Sequence, residues 1–247
     1  ELVRAYKGLP RTELEEGAQF LLKFNKEFGY KLVDKALTEE DKWFQDGFGE
    51  TLHGTDKWGH PISLIKMSKL DLFKLSEKFP DTSKLTAPMA RGLCALRRIK
   101  LGISAKAGYG VRKHVVIADL SGLSMYSFAR KQKYAKALAM VPYQFFPDHV
   151  FKILLVNPSA VFNMIWAVAK LWVDEVTLKF VINLGTAERA LPLWAKHGIS
   201  LDCLPKHLGG RSEGVPILDI SRQLAEYTAR EENLKTSASE SKKSRSE

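Results

Sequence analysis

Cysteine is scarce: only Cys94 and Cys203 occur in the 247 residues, far apart and in no motif. That usage provides no disulfide framework and fits free thiols in a reducing compartment. Six histidines, at 53, 60, 114, 149, 197 and 207, include no pair four residues apart, so metal-site spacing is missing. Ser121 and Ser124 lie in no nucleophile-elbow pattern. Gly108-Tyr109-Gly110 precedes an apolar run, whereas a phosphate-binding glycine loop follows a strand and opens a helix. These absences argue against an enzyme and against a metal. No apolar run approaches the roughly 18 residues of a membrane span. No charged-then-apolar leader pattern follows Glu1. The expectation is a soluble protein, processed or excised from something longer.

Acidic residues are missing from Arg91 to His114, a stretch that holds seven Lys and Arg. Arg130, Lys131, Lys133 and Lys136 form a second basic group, and the net charge is +10. Solvated helix faces account for such groups; attraction to a nucleic acid or an anionic membrane surface is the functional alternative. Hydrophobic residues make up 45% of the chain, enough for a substantial core.

Residues 1–50 read as polar and helical. Arg11 to Phe28 carries Leu14, Ala18, Leu21, Leu22 and Phe28 near helical spacing, with Thr12 as a candidate cap. Glu39 to Phe48 reads as a short helix ending at Gly47 or Gly49. Ile62 to Ile65, His114 to Ala118, Ile153 to Val156 and Phe180 to Ile182 are buried-strand candidates. Helices are predicted over 69–80, 85–101, 125–141 and near 186–197, with a last short segment at 215–220. Strands alternating with helices indicate an α/β domain with parallel pairing. From Thr228 the chain turns to Glu, Ser and Lys, and 228–247 reads as a disordered tail.

The segment from Ala160 to Val173 stands apart, because its strongly polar side chains are only Asn163 and Lys170. Seven residues apart, they share one line of a helix. A crossover helix on a sheet ordinarily has a broad polar face. This one is either buried on both sides or meets something other than water. Asn157 is suited to cap it and Pro158 to begin it.

Several ordered segments carry a family resemblance: His53 to Pro61, Asp119 to Ser124, Phe146-Pro147-Asp148, Leu155 to Pro158, Asp174 to Phe180 and Leu204 to Gly210. In this order and spacing the chain resembles the CRAL-TRIO lipid-binding family, typified by fungal phosphatidylinositol/phosphatidylcholine transfer proteins. The resemblance covers about residues 20–215. It implies a partial helical N-terminal module over 1–50, then a lipid-binding α/β domain over 51–221. A mixed, largely parallel sheet would floor a hydrophobic cavity, and a mobile gate helix over roughly Ser159 to Val173 would close it. Val161, Phe162, Ile165, Trp166, Val168 and Ala169 would line gate and cavity, facing Val116 and Ala118 on the central strand.

The resemblance further implies headgroup contacts from Lys26, Asp148, His149 and Lys179. Asp148 replaces a family Glu, and His149 a basic residue. His114 and Val116 stand where phosphatidylcholine-binding members carry Ser and Thr, a departure that weighs against choline lipids. The implied activity is intracellular phospholipid binding and transfer, with phosphatidylinositol the leading ligand. A sterol, isoprenoid or other phospholipid, and a non-transferring membrane scaffold, are the alternatives. No cofactor is expected beyond a bound phospholipid, and no nucleic acid. The implied protein is a cytoplasmic monomer that associates peripherally and transiently with anionic membranes.

Overall fold

The computed structural model describes residues 11–146, 148–173 and 175–226. The tail expected to be disordered, 228–247, lies outside them, as do residues 1–10. Two helices come first, α1 (Arg11–Glu27) and α2 (Glu39–Phe48). Thr12 lies inside α1 rather than capping it. Thr38 caps α2 through a reciprocal box with Asp41, and Gly49 ends the helix.

A six-stranded sheet follows in the order β5-β4-β3-β2-β1-β6. Its strands are β1 (Thr51–Thr55), β2 (Pro61–Lys66), β3 (His114–Asp119), β4 (Val150–Val156), β5 (Val181–Asn183) and β6 (Val215–Pro216). Strands β2 to β5 pair in parallel, while β1 runs antiparallel to both β2 and β6. The protein is thus α/β with a mixed, mostly parallel sheet. Every residue of β3 is buried, as expected of a central strand covered on both faces.

Alternation along the strands makes two apolar layers. Ile62, Leu64, Val115, Ile117, Leu154 and Val156 pack against Trp194, Leu204 and Leu208 of the late loops. On the opposite face Ala118 and Leu155 join Leu120 and Phe162. The connecting helices are α3 (Leu72–Lys78), α4 (Thr86–Ala107), α5 (Met125–Arg130), α6 (Gln132–Phe145), α7 (Phe162–Ala169), α8 (Glu175–Leu178) and α9 (Ala187–Ala190), with residues 217–226 again helical. The single helix expected over 125–141 is two. Lys131, at φ −123 and ψ 31, breaks the hydrogen-bond run between them.

Helix α1 docks on α4 and α6 through Phe24. Phe24 is fully buried and lies 5.4 Å and 5.2 Å, ring to ring, from Phe145 and Phe146. Leu22, counted on the apolar face from spacing, is instead exposed. The basic run from Arg91 to His114 is not one solvated stripe. Arg91 is buried against Asp41 at 2.9 Å, Lys100 is buried, Arg98 pairs with Asp34, and Lys113 pairs with Asp148. Both cysteines are free, and burial pushes the Cys94 thiol up to about 12, which leaves it inert as a nucleophile.

Candidate functional site

Helix α7 settles the question that its composition raises. Phe162 and Ile165 are 6% and 5% exposed, with Phe162 packed on the sheet, whereas Met164, and Leu171 in the turn just past the helix, are 55% and 76% exposed. The helix is therefore buried on one side only, and its outer side offers apolar surface to solvent. Phe162 joins Ala118, Leu120 and Leu155 in one cluster, with half-buried Trp166 packed against it. The Trp166 ring stacks on Phe162 at 5.8 Å. Val116 is buried on the same strand as Ala118, and Val161, Val168 and Ala169 are partly buried. Asn163 and Lys170 are exposed, so the polar line points away from the sheet.

The start of α7 departs from expectation. Asn157 does not cap it, and Pro158 is not its first residue: regular helix begins at Phe162. Asn157 adopts a left-handed backbone, φ 56, which asparagine tolerates better than most residues. Its amide donates to Asp119 Oδ1 at 3.0 Å and accepts from the Ala187 backbone N–H at 2.8 Å. The side chain is thus committed to two other segments. Residues 158–161 lie between this anchor and the helix without regular structure.

At the opposite end of β4, Asp148 is also left-handed, φ 57. Its carboxylate pairs with Lys113 at 2.5 Å. Lys113 also lies 5.6 Å from the Phe180 ring centroid, so it joins Asp148 to the turn that carries Lys179. Lys179 itself is exposed, as is Lys26 in the last turn of α1. Lys26 is two residues from Phe24, whose ring rests on Phe146. Asp148, His149, Lys113 and Phe180 are therefore brought together. Lys26 and Lys179 are exposed on other elements, and among the described residues neither forms an ion pair with Asp148. Lys113 is the residue that sequence reasoning missed. Its signal was position, since it precedes His114, whose register partner is Val150.

His149 accompanies that group but carries no charge. Burial, then Lys100 and Lys113, hold its pKa at about 3, and its Nδ1 bonds the Phe146 carbonyl. The His114 ring stacks on it at 5.1 Å and is held well below the ordinary range, first by burial and then by His149. The basic residue that the resemblance placed at 149 is thus a neutral hydrogen-bonding group. Both folded-state values lie below the unfolded one, so stability is full above about pH 6.5 and is lost as the pH falls toward them. Melting temperature is expected to drop steadily from pH 7 to pH 4.5. His149→Phe is expected to flatten that slope; an unchanged slope would refute the assignment.

Among the described residues no group of three His, Cys, Asp or Glu is placed to hold a metal. No described helix is long and apolar enough to cross a membrane.

A mixed sheet with a one-sided apolar crossover helix defines an α/β protein whose candidate site lies between that helix and the sheet. The particular family follows from comparison: the CRAL/TRIO domain matches residues 45–210, and the chain belongs to that family. It is 26% identical over 193 residues to the SEC14 cytosolic factor of Kluyveromyces lactis, covering 77% of this chain and 63% of that protein. The Sec14 cytosolic factor of Schizosaccharomyces pombe is 25% identical over 193 residues, covering 77% and 66%. The phosphatidylinositol/phosphatidylcholine transfer protein SFH14 of Arabidopsis thaliana is 26% identical over 197 residues, covering 77% and 33%. The chain thus spans less than two thirds of these relatives. The crystal structure of Sfh5 aligns with TM-score 0.57 at 17% identity, covering 74% of this chain and 63% of that one; the likeness is one of fold.

Proposed function

We propose that the protein binds one lipid beneath α7 and transfers it between membranes, with phosphatidylinositol the leading ligand. The observation that carries this reading is the helix itself. Its inner side rests on an apolar sheet face through Phe162 and Trp166, and its outer side presents Met164, continued by Leu171 in the turn that follows. A lifted helix would uncover Val116, Ala118 and Leu155 for acyl chains and would set its outer residues against a bilayer. Similarity to proteins named as Sec14 factors and phosphatidylinositol/phosphatidylcholine transfer proteins supports it.

Exposing two chains of ~16 carbons to water costs roughly 25 kcal/mol. A carrier lowers this barrier with an apolar enclosure and needs no chemical reaction. The headgroup would lie among Lys26, Lys113, Asp148, His149 and Lys179. The cations supply attraction to phosphate, and neutral His149 supplies a hydrogen bond. Arg130, Lys131, Lys133 and Lys136 lie on α5, α6 and their junction. Phe128 of α5 stacks on Trp172, just past α7, at 5.8 Å. These cations are placed to hold the gate side of a cytoplasmic protein against anionic lipid, each contributing about 1 kcal/mol.

A second reading within the fold rests on His114, whose Nδ1 is buried without a hydrogen-bond partner. A neutral hydrophobe with one hydroxyl would satisfy that nitrogen. Native mass spectrometry of co-purified lipid separates the two readings. In a vesicle assay with labelled phosphatidylinositol, the wild type is expected to transfer and Lys179→Ala to transfer about tenfold less. Equal transfer by both removes Lys179 from the headgroup site, and transfer by neither refutes the phosphatidylinositol reading.

A further inference from the structure

A second concavity lies away from α7, on the face of the sheet covered by the late loops. It is a cleft of about 260 Å³ with Leu64 in its lining and Lys66, Lys69 and Lys206 among its cations. Leu64 belongs to the layer opposite the Phe162 cluster. The cleft also sits at the carboxyl end of β2, between antiparallel β1 and parallel β3. Open α/β sheets favour ligands in the crevice outside such strand ends, where the topology changes direction.

The wall of the cleft is fixed. His53 uses both ring nitrogens, Nε2 with Thr51 Oγ1 at 3.0 Å and Nδ1 with Ser212 Oγ at 2.9 Å. His207 is tied through Nε2 to Asp119 Oδ2 at 3.1 Å. The loop between them is cross-braced: the Ser212 N–H donates to the Leu204 carbonyl at 2.8 Å and that of Gly210 to Pro205 at 3.1 Å. Gly210 is required there, because a Cβ would fall 2.2 Å from the Leu204 carbonyl oxygen. This polar wall is preorganised rather than assembled by a ligand.

The charge around it does not balance. Three lysines line the cleft with one carboxylate, Glu213, which pairs with Lys206. Among the described residues, Lys66 and Lys69 form no ion pair. The field is felt within: His53 is held at about 4, chiefly by burial but also by His207 and Lys66. At about 30 Å³ per water-sized group, the space holds roughly nine such groups. That is the size of a diphosphate or a small phosphate ester.

We propose that this cleft is a binding site for a phosphate-bearing anion, held by Lys66, Lys69 and Lys206 against the wall of His53, His207 and Ser212. The lysines act as mobile point charges, and the rigid wall fixes where the anion rests. The anion is either a soluble phosphate compound or a phosphorylated lipid headgroup presented by a membrane. The site is independent of a lipid beneath α7.

The test is calorimetric titration of the whole chain with pyrophosphate, with NMR of the histidine side chains. Pyrophosphate is expected to shift the His53 and His207 signals. Affinity is expected to fall about tenfold in Lys66→Ala/Lys69→Ala and to rise about threefold in Glu213→Gln, which frees Lys206. Lys106→Ala, a surface charge in neither site, is expected to change nothing. Phosphatidylinositol transfer is expected to be unaltered by the Lys66/Lys69 pair, which separates this proposal from the one for α7. In a parallel arm, phosphatidylcholine vesicles carrying a monophosphorylated phosphatidylinositol are tested for retention. Retention that depends on Lys66 and Lys69, without pyrophosphate binding, assigns the same chemistry to a headgroup. Binding of neither probe, or equal binding by wild type and the double variant, overturns the proposal.

Discussion

Phe162→Ala is expected to lower phosphatidylinositol transfer about tenfold or more while leaving the protein folded. Phe162 is 6% exposed and packs with Ala118, Leu120 and Leu155. Truncating such a phenylalanine costs about 3–5 kcal/mol when the whole contact is lost. The loss here falls on the seat of α7, not on the sheet, so it favours the lifted helix over the seated one. A carrier whose gate stays lifted exposes acyl chains on its way through water and loses cargo. Hydrogen exchange over residues 158–173 is expected to quicken markedly, while the urea midpoint shifts less than for Leu154→Ala. Leu154 is fully buried in the opposite layer and so reports global unfolding. Wild-type transfer by Phe162→Ala would remove α7 from the exchange step.

Arg91→Met carries the largest expected cost in stability, about 3–5 kcal/mol, because it strands a buried carboxylate. The guanidinium lies 2.9 Å from Asp41 with both side chains 4% exposed. It also donates to the backbone carbonyls of Leu32 at 2.8 Å and Lys35 at 2.7 Å. Asp41 is at the same time the capping partner of Thr38. One arginine of α4 therefore fixes the segment after α1 and the start of α2. Urea unfolding measures the loss, and adding Asp41→Asn is expected to restore part of it, as coupled partners do. A loss below about 1 kcal/mol would contradict the buried pairing.

This arginine also marks a limit of sequence reading. Within Arg91 to His114 the basic residues looked alike. Their separation into a buried ion pair, a buried lysine and a link to Asp148 arises from partners such as Asp41, 50 positions before Arg91, and Asp148, 35 after Lys113, and linear spacing carries no trace of that. The central strand was legible for the opposite reason. His114 to Asp119 is buried on both faces, so the run announces itself without knowledge of its neighbours. A helix over 125–141 was expected from the sequence, but its interruption at Lys131 was not. Nothing in the local residue types, neither glycine nor proline, forbids helix there.

The candidate site divides in the same way. The missing polar face of α7 was plain in composition, and its orientation follows the line from Asn163 to Lys170, which points to solvent. What composition left open was whether the second face is covered, and the exposure of Met164 answers that. Asn157 was misread because an asparagine before a proline and an apolar run fits a cap locally. Its amide instead bridges Asp119 and Ala187, 38 positions before it and 30 after it. The family segments around Asp119 and Asn157 thus form one physical joint. Each looked unremarkable alone because the bond between them is tertiary.

That joint has a mechanical consequence for the proposed exchange. With Asn157 clamped to two segments, the swing of α7 must be taken up by residues 158–161, a leash of four residues in which Pro158 already has restricted rotation. The eight-residue helix is about 12 Å long, so its travel is that of a short door on a stiff pivot. Were the Phe128–Trp172 stack beyond its far end to part, the aperture would be wider at the Ala169 end than at Phe162. A lipid would leave obliquely along the sheet rather than straight out from it.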